Sequence, residues 1–87
     1  MITLKTSNGK NTGAFYIQSK GDNAGRPLKT PIPNCFVVHT DVENAYQIVY
    51  SLFVARRFQR LIMGSVIPFI RLREAQELLQ DYFKLTY

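Results

Sequence analysis

Eighty-seven residues allow one domain, and a chain this short buries only about 60–65% of the surface that its unfolded form exposes. With 46% hydrophobic, 13% aromatic and 20% charged residues, the composition excludes an intrinsically disordered chain. The net charge of +5 and pI near 9.7 favour an acidic partner, while the single cysteine excludes an internal disulfide and a cysteine-based zinc site.

In chain order, Ile2 to Lys5 alternates apolar and polar residues and reads as a short strand. Ser7 to Gly13 is turn chemistry, with Asn8-Gly9 the strongest hairpin signal in the chain, so Ala14 to Ser19 is expected as a second strand antiparallel to the first. Lys20 to Pro33 carries two glycines and three prolines without periodicity and reads as a flexible loop over residues 20–33. Cys35 to Thr40 is a third strand, and its unbroken apolar start places it centrally, covered on both faces.

Thr40 followed three residues later by Glu43 has the form of a capping box, so a helix is expected from Asp41. Val42, Ala45, Tyr46, Val49, Leu52 and Phe53 form one face at the 3.6-residue period. The helix runs to about Phe58, or through Leu61 before Gly64 stops it. Ser65 to Arg71 reads as a fourth strand, held to an edge or a bulge because Pro68 has no N–H to donate. A competing reading makes Pro68 the first residue of the last helix. Leu72, Ala75, Leu78, Leu79, Tyr82 and Phe83 repeat at helical spacing and predict that helix over Leu72–Phe83. The fold class is α+β: a small, mostly antiparallel sheet in the order β-β-β-α-β-α, with two helices on one face. The expected core is Phe36, Val38, Tyr46, Val49, Phe53, Leu72, Leu79 and Phe83.

No catalytic signature is present. Cys35 and His39 share a strand face, but four strand positions separate them by about 13 Å, whereas a nucleophile and its base meet at about 3 Å. They read as a buried thiol and a strand-end imidazole. Glu74, Glu77 and Asp81 form one stripe of the last helix, best explained as a solvated face pairing Arg71 with Glu74 and Asp81 with Lys84. Gly21 to Pro27 lacks both the Gly-Lys-Ser/Thr ending of a phosphate loop and the glycine spacing of a dinucleotide fingerprint. The protein is therefore expected to be a binding protein and not an enzyme, with no cofactor and no metal.

The strongest functional signal is cationic. Arg56, Arg57, Arg60, Arg71 and Arg73 fall within eighteen residues that hold no acidic side chain. A helix C-terminus favours cations by about 0.3–1 kcal/mol each without any ligand, which accounts for one or two of the first three. It does not account for Arg71 and Arg73 beyond Gly64. Arginine suits bidentate contacts to phosphate and guanine, and Arg26 and Lys29, with Lys20, add charge from the preceding loop. DNA is the expected partner, with an acidic protein surface as the rival class. A homodimer would add burial to a small core. The longest apolar runs fall far short of the roughly 20 residues of a membrane span, and Met-Ile-Thr-Leu-Lys is not a secretory leader, so a cytoplasmic location is expected.

Two resemblances attach to these residues. The C-terminal half is similar to the target-recognition domains of type I restriction-modification specificity subunits, through Asn34 to Val38, Tyr50-Ser51-Leu52-Phe53 through Phe58, Gly64 to Ile70, and Leu78-Leu79. That likeness implies the reading of a short DNA sequence. Most of the chain also resembles an uncharacterised family of small bacterial and mobile-element proteins, through Gly25-Arg26-Pro27-Leu28, Pro33-Asn34-Cys35-Phe36 and Gly64 to Arg71. The second likeness implies no activity.

Overall fold

The structure, a computed structural model, describes residues 2–7, 12–64 and 66–86. Four strands, β1 (Ile2–Ser7), β2 (Phe15–Gln18), β3 (Pro27–Leu28) and β4 (Cys35–Thr40), form one antiparallel sheet in the order β1-β4-β2-β3. Two helices follow, α1 (Ala45–Val54) and α2 (Leu72–Thr86), separated by a short 3-10 helix at Gln59–Leu61. The α+β class stands, but the fourth strand is Pro27–Leu28 and not Ser65–Arg71.

The strand order follows from β4. Cys35, Phe36, Val37 and Val38 are all buried, so both faces of this strand need cover and both of its edges are paired. Its register sets Leu4 and Phe15 on either side of Val38, and Thr6 and Ile17 on either side of Phe36. Two strands antiparallel to the same neighbour run parallel to each other, so the expected hairpin between the first two strands does not form. Asn8-Gly9 itself lies outside the described residues.

On one face of the sheet Ile2, Leu4, Phe15, Ile17, Phe36 and Val38 meet Ala45, Val49 and Leu52 of α1 and Ala75, Leu79 and Phe83 of α2. Both helices therefore cover the same face, as their periodicity implies. α2 lies along β1, and α1 reaches towards β3. The Phe15 and Tyr46 rings join α1 to the sheet edge-on, with centroids 5.6 Å apart. On the other face a smaller cluster of Tyr16, Cys35 and Val37 is covered by Leu28 and Ile32. Of the expected core, Phe36, Val38, Val49, Leu79 and Phe83 are buried, whereas Tyr46, Phe53 and Leu72 are only half-buried.

Three other expectations give way to tertiary structure. The loop expected over 20–33 holds β3, because the turn at Gly21–Gly25 folds the chain back so that Tyr16 faces Leu28 and Ile17 faces Pro27. α1 starts at Ala45 and not at Asp41, since the Thr40 hydroxyl accepts the Val42 N–H at 3.2 Å, two residues on, and closes a local turn. Of the segment expected as a fourth strand, Ser65 lies outside the described residues and the part from Val66 on belongs to a tight loop. Met63 and Phe69 exchange backbone hydrogen bonds of 2.8 and 2.9 Å, while Val66 and Ile67 at its tip are 89% and 61% exposed. Its backbone pairs with the earlier loop: Gly21 N–H donates to Pro68 O at 2.8 Å, and Ile70 N–H to Ser19 O at 2.9 Å. The helix that follows begins at Leu72, four residues beyond Pro68, so the reading of that proline as a helix start is also set aside.

The outer edge of β1 is closed by a side chain. Leu4 N–H donates to Gln76 Oε1 at 2.6 Å, and Gln76 Nε2 donates to Ile2 O at 2.9 Å, so the carboxamide takes the place of a neighbouring peptide group. An open strand edge invites pairing with another chain, and α2 blocks it here. Gln76→Leu keeps the volume but leaves a part-buried donor and acceptor unmet, a loss of about 1–3 kcal/mol. The expected result is a melting temperature lower by about 4–8 °C per kcal/mol, with faster hydrogen exchange at the Leu4 amide.

Candidate nucleic-acid interface

The end of α1 is built by its own hydrogen bonds. Arg57 N–H donates to Leu52 O at 2.9 Å and Arg56 N–H to Phe53 O at 3.0 Å, the paired bonds of a Schellman turn. Such a turn places one residue in the left-handed region, usually a glycine, and here it is Arg56 with φ 62°. The reversal ends α1 at Val54, short of Phe58, and sends Phe58 back into the core at 1% exposure. Arg56 and Arg57 are thereby placed on the turn and not on the helix, and both are exposed. Arg60 is exposed on the 3-10 helix that follows.

Gly25 packs against the Phe58 ring, which brings exposed Arg26 to the same region as this turn. The loop from Gly21 to Gly25 and the turn after α1 enclose an open hollow of about 360 Å³. Phe53, Val54 and Phe58 supply its apolar wall, and Asp22, Arg56 and Gln59 its polar groups. Arg26, Arg56, Arg57 and Arg60 thus belong to one end of the molecule.

The other cations stand on different elements. Arg71 is exposed just before α2, next to Ile70, whose N–H is bonded to Ser19. Arg73, on the first turn of α2, pairs with Glu77 at 3.3 Å, with side chains 90% and 60% exposed. An ion pair this open contributes only a few tenths of a kcal/mol and yields readily to a phosphate. It takes the place of the expected Arg71–Glu74 pairing as the ion pair at the start of α2. Lys29 lies with its Nζ 5.3 Å from the centre of the Tyr46 ring. Tyr46 is in the first turn of α1 and the arginine turn follows its last residue, Val54, so Lys29 stands at the opposite end of the helix, about 12 Å away along its axis.

Cys35 is a buried free thiol and His39 is exposed. Residues outside the sequence-based site also contribute to this surface. Asp22 and Gln59 edge the hollow, and Tyr50 stands 42% exposed between Tyr46 and Phe53 on α1. The available signal for Tyr50 was its spacing, four after Tyr46 and three before Phe53, which continues an aromatic row along one edge of the apolar face. No short-range pattern marks Asp22 or Gln59, which meet only through folding.

Residues 1–87 match the model of a family of unknown function (DUF6943), and the chain belongs to that family. No curated protein and no solved structure matches it. Among the described residues no helix is long and apolar enough to cross a membrane.

Proposed function

We propose, since the family itself has no assigned activity, that this chain is a small DNA-associated accessory protein that grips the phosphate backbone through exposed arginines. Arg26, Arg56, Arg57 and Arg60 form the principal contact, with Arg71, Arg73 and Lys29 extending it. The observation that carries this reading is the backbone of Arg56. A left-handed conformation costs a residue with a Cβ about 1–2 kcal/mol, and glycine would occupy the turn without that penalty. A cation set at a strained, exposed position argues that its side chain has work outside the fold. The net charge of +5 supports the same reading, as does the likeness of the C-terminal half to DNA target-recognition domains.

A second reading, a protein-interaction module with an acidic partner or a second copy, is favoured by one observation. Val66 and Ile67 project from the loop between the arginine groups, with Met63 at its base 38% exposed. Salt dependence separates the two. Four phosphate contacts on duplex DNA, one from each principal arginine, give a log–log slope of about −3 to −4 in a fluorescence-anisotropy titration, and removing one arginine lowers it by about 1. Arg56→Gly is the most informative variant. It is expected to weaken DNA binding and flatten the slope, while raising stability by up to about 1 kcal/mol through relief of the turn. No binding to DNA at low salt and tens of micromolar protein would remove the DNA reading and leave the interaction module.

A further inference from the structure

The ten residues of α1 carry no charged side chain, which is unusual for a surface helix of so basic a protein. Its solvent-facing positions Gln47, Tyr50, Ser51 and Val54 are exposed and neutral, with Tyr50 at 42% and Val54 at 63%. Tyr46, Tyr50 and Phe53 form a row of rings along this helix, with successive centroids 6.3 and 6.5 Å apart. A cation stands at each end of the row: Lys29 over Tyr46, and Arg56 with Arg57 on the turn beyond Phe53. Past Phe53 the row opens into the hollow of about 360 Å³, where Asp22, Arg56 and Gln59 offer both donors and acceptors.

We infer that the outer edge of α1 is a stacking platform for single-stranded DNA, in which an unpaired base lies on Tyr50 and a neighbouring base enters the hollow beside Phe53. The inference rests on the nucleic-acid reading above and narrows it to unpaired strands. A duplex hides the faces of its bases and presents phosphates, so it has no use for an aromatic row. An extended single strand presents both, and single-strand binders combine rings for the bases with cations for the backbone. Lys29 and the arginine turn stand at opposite ends of α1, whose axis spans about 12 Å from Tyr46 to Val54, a spacing that brackets a short run of nucleotides and leaves the rings between them for bases. In the hollow, Asp22 accepts from the ring N3–H of a thymine, Arg56 donates to one of its carbonyl oxygens, and Gln59 does either. Charge complementarity selects the polyanion over a neutral peptide. Asp22 is the one carboxylate among the described residues of the lining, against Lys29, Arg56 and Arg57 around the row.

The test is an anisotropy titration of the full chain with labelled oligothymidine, oligouridine and a duplex of equal length, using the parent, Tyr50→Ala and Tyr50→Phe. Tyr50 is exposed, and a thermal melt of each variant confirms that the fold is kept. The expected result is tighter binding of oligothymidine than of duplex by the parent, about a tenfold loss on oligothymidine alone in Tyr50→Ala, and near-parent binding in Tyr50→Phe. Equal effects of Tyr50→Ala on single strand and duplex, or no effect on either, would overturn the platform and leave the arginine surface standing. Tighter binding of oligouridine would overturn the assignment to DNA. No binding to any of the three would remove both the platform and the reading it rests on.

Discussion

Phe58→Ala is expected to lower stability by about 3–5 kcal/mol, most of what a domain of this size holds. Phe58 is 1% exposed and among the largest fully buried side chains. It belongs to neither helix, yet it joins the core shared by α1, α2 and the sheet. The Schellman turn at Arg56 directs it inward, and Gly25 closes over its Cβ and ring. Truncation leaves a cavity that a rigid turn on one side and a tight loop on the other cannot fill. A thermal melt should show a midpoint lower by at least about 12 °C, or no cooperative transition. Phe53→Ala, the truncation that helical periodicity alone marks as the costly one, should do less harm, because Phe53 is only half-buried. A Phe58→Ala variant that melts near the parent would mean that the turn after α1 does not seat this ring.

Gly25→Ala is the second large effect, expected at about 2–5 kcal/mol from two additive causes. Gly25 has φ 98°, where a residue with a Cβ is strained by about 1–2 kcal/mol. An added Cβ would also stand 2.7 Å from Phe58 Cβ and Cγ, and forcing a methyl into a packed core costs about 1–3 kcal/mol more. Gly21 separates the causes. Its φ is 95°, but a Cβ there would meet only the Gln18 side-chain nitrogen at 3.2 Å, so Gly21→Ala should show the conformational penalty alone. Denaturant midpoints of the two variants measure the difference. Equal losses would show that the loop at Gly25 can move off Phe58. Such movement would open the hollow that Asp22, Arg56 and Gln59 edge, so this stability measurement also reports on the proposed site.

These two sites also mark how far short-range pattern reaches. The central place of Cys35–Thr40 was legible because an apolar run without alternation needs cover on both faces. The faces of both helices were legible because Ala45, Val49, Leu52, Ala75, Leu79 and Phe83 recur at the helical period, and all six are buried. The lone thiol and the α+β class likewise follow from composition and spacing.

Strand order did not follow, because Asn8-Gly9 describes only the chain beside it. The competition of two strands for the edges of β4 is a long-range matter. Pro27–Leu28 has no periodicity of its own and becomes a strand only because Tyr16 and Ile17 are there to pair with it. A helix that ends on an arginine at φ 62° is invisible to rules that look for glycine. That single reversal decides which phenylalanine is core and where Arg56 and Arg57 stand. Gln76 on α2 closes the edge of β1 across more than seventy residues of chain. Residue periodicity thus sets which faces are apolar, while strand neighbours, chain reversals and the grouping of cations depend on contacts between segments that share no local signal.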